Sequence, residues 1–352
     1  MRIGDVYAER SERGAEDMEL LSVTMNDGVK MRSDIEGKDN SSEDKSNYKI
    51  VRAGDMVYNS MRMWQGANGI SPWDGIVSPA YTVLKPRMPI SNGFFAALFK
   101  TRRLINEFRK NSQGMTSDTW NLKYPQIETI KTCIPALAEQ EKIADFLMAL
   151  DQRIEKQRTL VEHLKKYKRG LLDAIFNQKI HVTDGNEEWQ ECRIGDILKI
   201  MHGRDYKDYK APNGEYPVLG TGGVIDYSTK YLCDWPCVLI GRKGTIDKPQ
   251  YMDKPFWTVD TLFYSKPEHF HNPKFQYYLF QTINWKKYNE ASGVPSQSAS
   301  TIEGITVYVP NLKTQEIIAD LLTKIDVQIE NYSNTQVLLQ VIKKGLFQEI
   351  FT

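Results

Sequence analysis

IPALAEQEKIADFLMALDQRIEKQRTLVEHLKKYKRGLLDAIF, residues 134–176, returns without a gap as VPNLKTQEIIADLLTKIDVQIENYSNTQVLLQVIKKGLFQEIF, residues 309–351. The offset is 175 residues in a chain of 352, and 17 of the 43 aligned positions are identical. Pro135/Pro310, Gln140/Gln315, Asp145/Asp320, Asp151/Asp326, Gly170/Gly345 and Phe176/Phe351 are among them. A repeat of this period fixes architecture before any local motif does. It predicts two tandem copies of one unit about a pseudo-twofold axis.

Each copy reads as one long helix. A 4-3 spacing collects Ile143, Leu147, Leu150, Ile154, Gln157, Val161, Leu164, Lys168, Leu171 and Ile175 in the first. In the second it collects Ile318, Leu322, Ile325, Ile329, Tyr332, Gln336, Leu339, Lys343, Leu346 and Ile350. An apolar period of 3.5 sustained over about five heptads is a coiled-coil seam, and about 38 residues make a rod of roughly 57 Å. Lys168 and Lys343 hold the same seam position, either near a frayed end or setting register. Because the first helix enters the second unit and only Thr352 follows the second helix, the pair is expected to run antiparallel.

The helices, 134–181 and 309–352, leave two heads at 1–133 and 182–308. Runs at 56–60, 80–84, 237–240, 256–264 and 305–309 are β-branched or aromatic and bounded by Gly or Pro, which predicts strands. Helices are expected at 93–111 and 273–288. The fold class is α+β, two mixed α/β heads held apart by an antiparallel intramolecular coiled coil. The heads themselves are related: Arg2-Ile3-Gly4-Asp5 recurs as Arg193-Ile194-Gly195-Asp196, and Ile127-Glu128 with Ile130 as Ile302-Glu303 with Ile305. Between these anchors similarity is thin, so the frame repeats while the contents differ.

Composition is that of a globular chain, 41% hydrophobic and 26% charged. No apolar run reaches transmembrane length and residues 1–5 are no signal peptide, which predicts a cytoplasmic protein. The four cysteines lack zinc-ribbon spacing, and neither Cys233-x3-Cys237 nor His269-Phe270-His271 makes a convincing metal site; the two histidines are expected on alternate residues of a strand. Gly241-Arg242-Lys243-Gly244-Thr245 is not a phosphate loop, and Ser78-Pro79-Ala80-Tyr81 lacks the acid or amide and second proline of an amino-methyltransferase box. No catalytic residue is assigned.

The order of variable head, ALAEQEKIADFLMALDQRIE helix (136–155), variable head and second such helix resembles the specificity subunit of type I restriction–modification systems. GDMVYNSMRMWQGANGISPWDGIVSPAYTVL (54–84), VLIGRKGTI (238–246) and FWTVDTLFY (256–264) resemble recurrent patterns of its target-recognition domains. The likeness covers essentially the whole chain. One departure is that Trp189-Gln190-Glu191 before the second Arg-Ile-Gly-Asp has no counterpart before the first, so a leading segment usual in the family is expected to be missing. The resemblance implies a non-catalytic module that reads two half-sites of double-stranded DNA, one per head. It also implies partners, two modification subunits carrying S-adenosylmethionine and two restriction subunits using ATP and Mg2+, docked on the outer face of the rod and nearby head surfaces; Gln152, Lys165, Lys166 and Arg169 lie off the seam, either in that docking face or as ordinary solvated coiled-coil positions. A coiled-coil scaffold with protein- or polymer-binding heads is the competing reading.

Charge is modest for a DNA reader. The chain is +1 overall, although residues 56–133 sum to +6. Base readers are sought among Arg, Lys, Asn, Gln, Ser and Thr on glycine-marked loops, whose donors and acceptors match base edges. In the first head these are Asn59, Arg62, Gln65, Asn68, Gln113, Ser117 and Asn121, with Arg109 and Lys110 in the basic stretch 85–110. In the second they are Arg204, Arg242, Lys243, Thr245, Ser296, Gln297 and Ser298.

Overall fold

In a computed structural model of the chain, the described residues are 1–14, 17–25, 28–37, 41–183 and 188–351. They form two units, Met1–Lys156 with Thr335–Thr352, and Gln157–Asn334. Each unit contains one head and a share of both long helices, Leu137–Phe176 and Leu312–Ile350.

The heads are built on the same four-stranded antiparallel sheet. In the first, the order is Tyr7–Glu9, Tyr81–Pro86, Met56–Asn59, Asn68–Ile70. In the second it is Leu198–Met201, Leu262–Pro267, Cys237–Gly241, Gln250–Met252. The inner strands carry consecutive apolar residues where both faces are covered, as at Met56-Val57-Tyr58 and Cys237-Val238-Leu239-Ile240. Val57 points into a valine-rich layer with Val23, Val51 and Val83, while Met56 and Tyr58 point into a layer of Phe94, Phe95 and Phe99. Cys237 and Leu239 likewise face Phe256 and Leu262, and Val238 and Ile240 face Phe275, Phe280 and Trp285.

The repeated Arg-Ile-Gly-Asp has a structural reason. Asp5 accepts the Arg2 amide at 2.7 Å and Asp196 the Arg193 amide at 2.8 Å. Ile3 donates to the Ile130 carbonyl and Ile194 to that of Ile305, both at 2.9 Å. A side chain at Gly4 would lie 2.8 Å from the Glu128 Cβ, and one at Gly195 3.1 Å from that of Glu303. Beyond the motif, Gln190–Arg193 pairs along Thr306–Val309, whereas the first head has a single bridge, Arg2 to Lys131.

Within each unit the two helices pair antiparallel. In Gln157–Asn334, the Gln157 amide donates to the Tyr332 carbonyl and Lys168 pairs with Asp326. In the other unit Lys343 pairs with Asp151. Lys168 and Lys343 are repeat equivalents, as are Asp326 and Asp151, so the two pairs are reciprocal. Of the twenty seam positions only Tyr332 is exposed.

Each head helix also sits in a repeated socket. Gln140 donates to the Pro135 carbonyl at 2.9 Å and accepts the amide of Ser91, which caps helix Asn92–Leu98, at 3.1 Å. Gln315 does the same to Pro310 and to Asn272, cap of Pro273–Thr282, both at 2.9 Å. Three residues past each cap an aromatic ring meets the end of the other long helix. Phe94 lies 5.6 Å from Phe351, and Phe275 lies 5.3 Å from Phe176.

Several sequence expectations need correction. The helix expected at 93–111 is two, Asn92–Leu98 and Arg102–Asn111, because the buried Thr101 hydroxyl caps the second. That expected at 273–288 ends at Thr282 and a 3-10 turn, Trp285–Tyr288, follows. The strand expected at 256–264 is broken by a tight turn in which Leu262 donates to the Val259 carbonyl at 3.0 Å. His269 and His271 lie outside any strand, in a turn where Phe270 is left-handed at φ 68°. Among the described residues no helix is long and apolar enough to cross a membrane, and no three His, Cys, Asp or Glu side chains converge on a metal-sized site.

Candidate nucleic-acid interface

At one end of each sheet, three loops are stitched together by the same two backbone hydrogen bonds. In the second head the Arg242 amide donates to the Thr261 carbonyl at 2.8 Å, and the Gln297 amide donates to the Arg242 carbonyl at 3.0 Å. In the first head the Ser60 amide donates to Ala80 at 3.2 Å, and the Leu122 amide to Ser60 at 2.9 Å. Ser60, Ala80 and Leu122 therefore stand where Arg242, Thr261 and Gln297 stand. The frame is common and the side chains it presents are not.

In the second head, Gly241 lets the chain leave its strand tightly, since a Cβ there would lie 2.1 Å from the Thr245 carbonyl oxygen. Gly244, at φ +88°, reverses it and donates to the Pro295 carbonyl at 2.8 Å. Lys243 bridges to Ser296, which gathers Arg242, Lys243, Thr245 and Ser296 on one surface. Arg204 joins from the segment after strand Leu198–Met201, its amide on the Thr258 carbonyl and its carbonyl accepting the Trp257 indole N–H, each at 2.8 Å. Arg204 and Lys243 are exposed, and Arg242 forms an ion pair with Asp260 in the turn 259–262. Asp260 escaped the sequence reading because only donors and amides were sought in FWTVDTLFY.

Two expected readers in this head have other work. Gln297 is buried and spends its amide N–H on the Gly241 carbonyl at 2.8 Å. The Ser298 hydroxyl caps helix Ala299–Glu303, accepting from the Thr301 amide at 3.2 Å, and donates to Glu290 at 2.9 Å.

In the first head, Asn59 ends its strand and accepts the Met61 amide at 3.0 Å. Arg62 and Gln65 follow on an exposed turn. Gln113 and Asn121 exchange backbone hydrogen bonds at 3.0 and 2.8 Å, closing a loop that carries the exposed Ser117. Trp64 meets Trp120 edge to face at 5.2 Å, so the turn and the loop form one surface. Asn68 does not belong to it: it is fully buried, with its amide directed at the Gly66 and Phe99 carbonyls.

Arg109 and Lys110 are exposed in the last turn of Arg102–Asn111, where the helix dipole favours cations, and Lys110 pairs with Glu107 at 2.7 Å. Lys100, counted in the same basic stretch, is structural: it donates to the Met25 and Gly66 carbonyls, and burial pushes its ammonium below the usual lysine value.

The profile of the family described as type I restriction modification DNA specificity domain matches twice, over residues 26–164 and 186–339. The chain is 24% identical over 347 residues to the specificity subunit of the type I restriction enzyme MjaVIII of Methanocaldococcus jannaschii, covering 86% of this chain and 79% of that one. Its fold matches the crystal structure of a type I restriction-modification S subunit from M. genitalium with a TM-score of 0.63 at 16% identity, covering 100% of this chain and 95% of that one. A structure concerned with complex assembly and conformational transition of the type I system matches with a TM-score of 0.61 at 15% identity, over 100% and 96% of the two chains. With both copies of the repeat matched, the chain belongs to the type I restriction–modification DNA specificity family.

Proposed function

We propose that this chain is the sequence-reading component of a type I restriction–modification complex. Each head reads one half of a bipartite, asymmetric site in the major groove of double-stranded DNA. The long helices act as the spacer and as the docking site for modification subunits. The observation that carries this reading is the shared stitch at the sheet end, which presents Arg242, Lys243 and Arg204 in one head and Arg62, Gln65 and Gln113 in the other. A constant frame with variable donors suits direct readout of two different half-sites.

Chemistry belongs to the partners on this reading. Two modification subunits would hold S-adenosylmethionine, and two restriction subunits would use ATP and Mg2+. The modest charge of +1 fits a subunit that shares phosphate contact with them. Docking has support in the outward faces of the helices. Gln152, Lys165, Lys166 and Arg169 are exposed, and Val337, Leu338, Val341 and Ile342 form an uncovered apolar stripe between 41% and 62% exposed.

The test is exchange of one head, residues 182–308, for that of a relative, followed by mapping of methylated sites in cells carrying the assembled complex. The half-site read by the exchanged head changes and the other stays. A change in both halves, or in neither, refutes the two-reader assignment.

A further inference from the structure

Asp260 is a carboxylate on the surface that carries Arg204, Arg242 and Lys243. A surface built only to hold phosphate gains nothing from it, because an anion there opposes the attraction. Nor does the fold require it. The backbone at Arg242 is held from both sides by Thr261 and Gln297, and the first head makes the same stitch with Ser60 and no charge. In that head the residue before the acceptor carbonyl of Ala80 is Pro79, where Asp260 precedes Thr261. The Arg242 and Asp260 side chains are 30% and 62% exposed, so their pairing adds little to stability.

What the pair does supply is geometry. The Asp260 turn is closed by two hydrogen bonds: Leu262 donates to Val259, and the Thr258 hydroxyl donates to the Leu262 carbonyl at 2.9 Å. Arg242 gives one Nη1 hydrogen to Asp260, which orients the planar guanidinium and leaves its outer edge without a partner among the described residues. Two parallel N–H groups on such an edge match O6 and N7 of guanine, and a carboxylate oxygen matches the N4 amino group of cytosine. An arginine held before binding also loses less side-chain freedom on contact.

We propose that Asp260 is a specificity-determining residue of the second head, holding Arg242 for a bidentate contact to guanine and accepting from the amino group of a neighbouring cytosine. This rests on the DNA-reading function proposed above. It makes Asp260 part of the readout and gives the second half-site a guanine and a cytosine at adjacent steps.

The experiment uses the full chain assembled with its modification subunits, and maps methylated sites genome-wide for the parent, Asp260→Asn, Asp260→Ala and Asp260→Glu. The parent is expected to show guanine and cytosine together in one half-site. Asp260→Asn and Asp260→Ala relax discrimination there by roughly 5- to 150-fold, the range of one well-made base contact. The other half-site and the melting temperature do not move, and Asp260→Glu, which keeps the carboxylate, recovers part of the preference. Variant site patterns identical to the parent's, or relaxation spread over both halves, overturn the proposal while leaving the two-reader function standing. A parent that yields no bipartite site overturns that function, and this proposal with it.

Discussion

Lys168 and Lys343 occupy one position of the repeat, yet their removal should have unequal consequences. The Lys168 side chain is 13% exposed and pairs at 2.7 Å with Asp326, itself 34% exposed. Asp326 also accepts from the Tyr278 hydroxyl at 2.8 Å, and Lys168 reaches Gln281 at 3.3 Å and lies 5.1 Å over the Tyr278 ring. Burial keeps the Tyr278 phenol protonated as a donor. Lys168→Met preserves the stem and leaves a half-buried carboxylate with one partner. Breaking a fully buried pair costs about 3–5 kcal/mol, and the water still reaching Asp326 lowers this to about 2 kcal/mol. Lys343 and Asp151 are 33% and 56% exposed, in the range where pairs contribute about 0–1 kcal/mol. Hydrogen exchange read by mass spectrometry resolves the two regions separately. Lys168→Met should speed exchange in Pro273–Thr282 and around residues 318–329 by roughly 30-fold, the equivalent of about 2 kcal/mol. Lys343→Met should change residues 339–350 by less than about 5-fold. Equal effects, or a larger one at Lys343, would refute the argument that environment rather than repeat position sets the cost.

Two further outcomes test the sockets. Gln315→Leu strands the Asn272 amide and the Pro310 carbonyl at a site where Gln315 is 1% exposed; thermal melts should show a loss of about 2–4 kcal/mol, and a loss under 1 kcal/mol would sink the clip. His271 stands beside Gln315, and burial holds its imidazole below the ordinary value of 6.5, with Glu268 opposing. A depressed histidine binds fewer protons folded than unfolded, so its contribution is present above pH 6.5 and is lost as pH falls below it. Urea unfolding at pH 7.5 and 5.5 should show this loss, and His271→Gln should flatten it; an unchanged slope would show that another group is responsible.

The parts of this molecule legible in the sequence are those governed by a period. The seam from Ile143 to Ile175 announced itself because apolar spacing survives even where Gln157 and Lys168 interrupt it. Met56-Val57-Tyr58 was legible as a strand, although the burial of both its faces was not. What was hidden depends on one hydrogen bond at a time. Thr101 splits a helix by turning its hydroxyl back on the chain, and Val259 and Leu262 close a turn inside a run of β-formers. Asn68 and Gln297 carry the donors expected of base readers, and only burial shows those donors already spent. The equivalence of Ser60 with Arg242 leaves no trace in the letters, because a backbone amide is the same whatever side chain it carries.

The paired sockets make the heads behave as exchangeable cartridges. A replacement needs a capping residue whose amide meets Gln140 or Gln315, and three residues later an aromatic ring for Phe351 or Phe176. In the second head the fittings also include Tyr278 and Gln281, which meet Asp326 and Lys168, so a replacement keeps that helix face while its sheet-end loops vary. Recombination that exchanges one head between related genes should therefore yield a folded protein in a single step, and on the proposed DNA-reading function one with a new half-site. Point mutation, by contrast, alters the loops at the sheet end one side chain at a time.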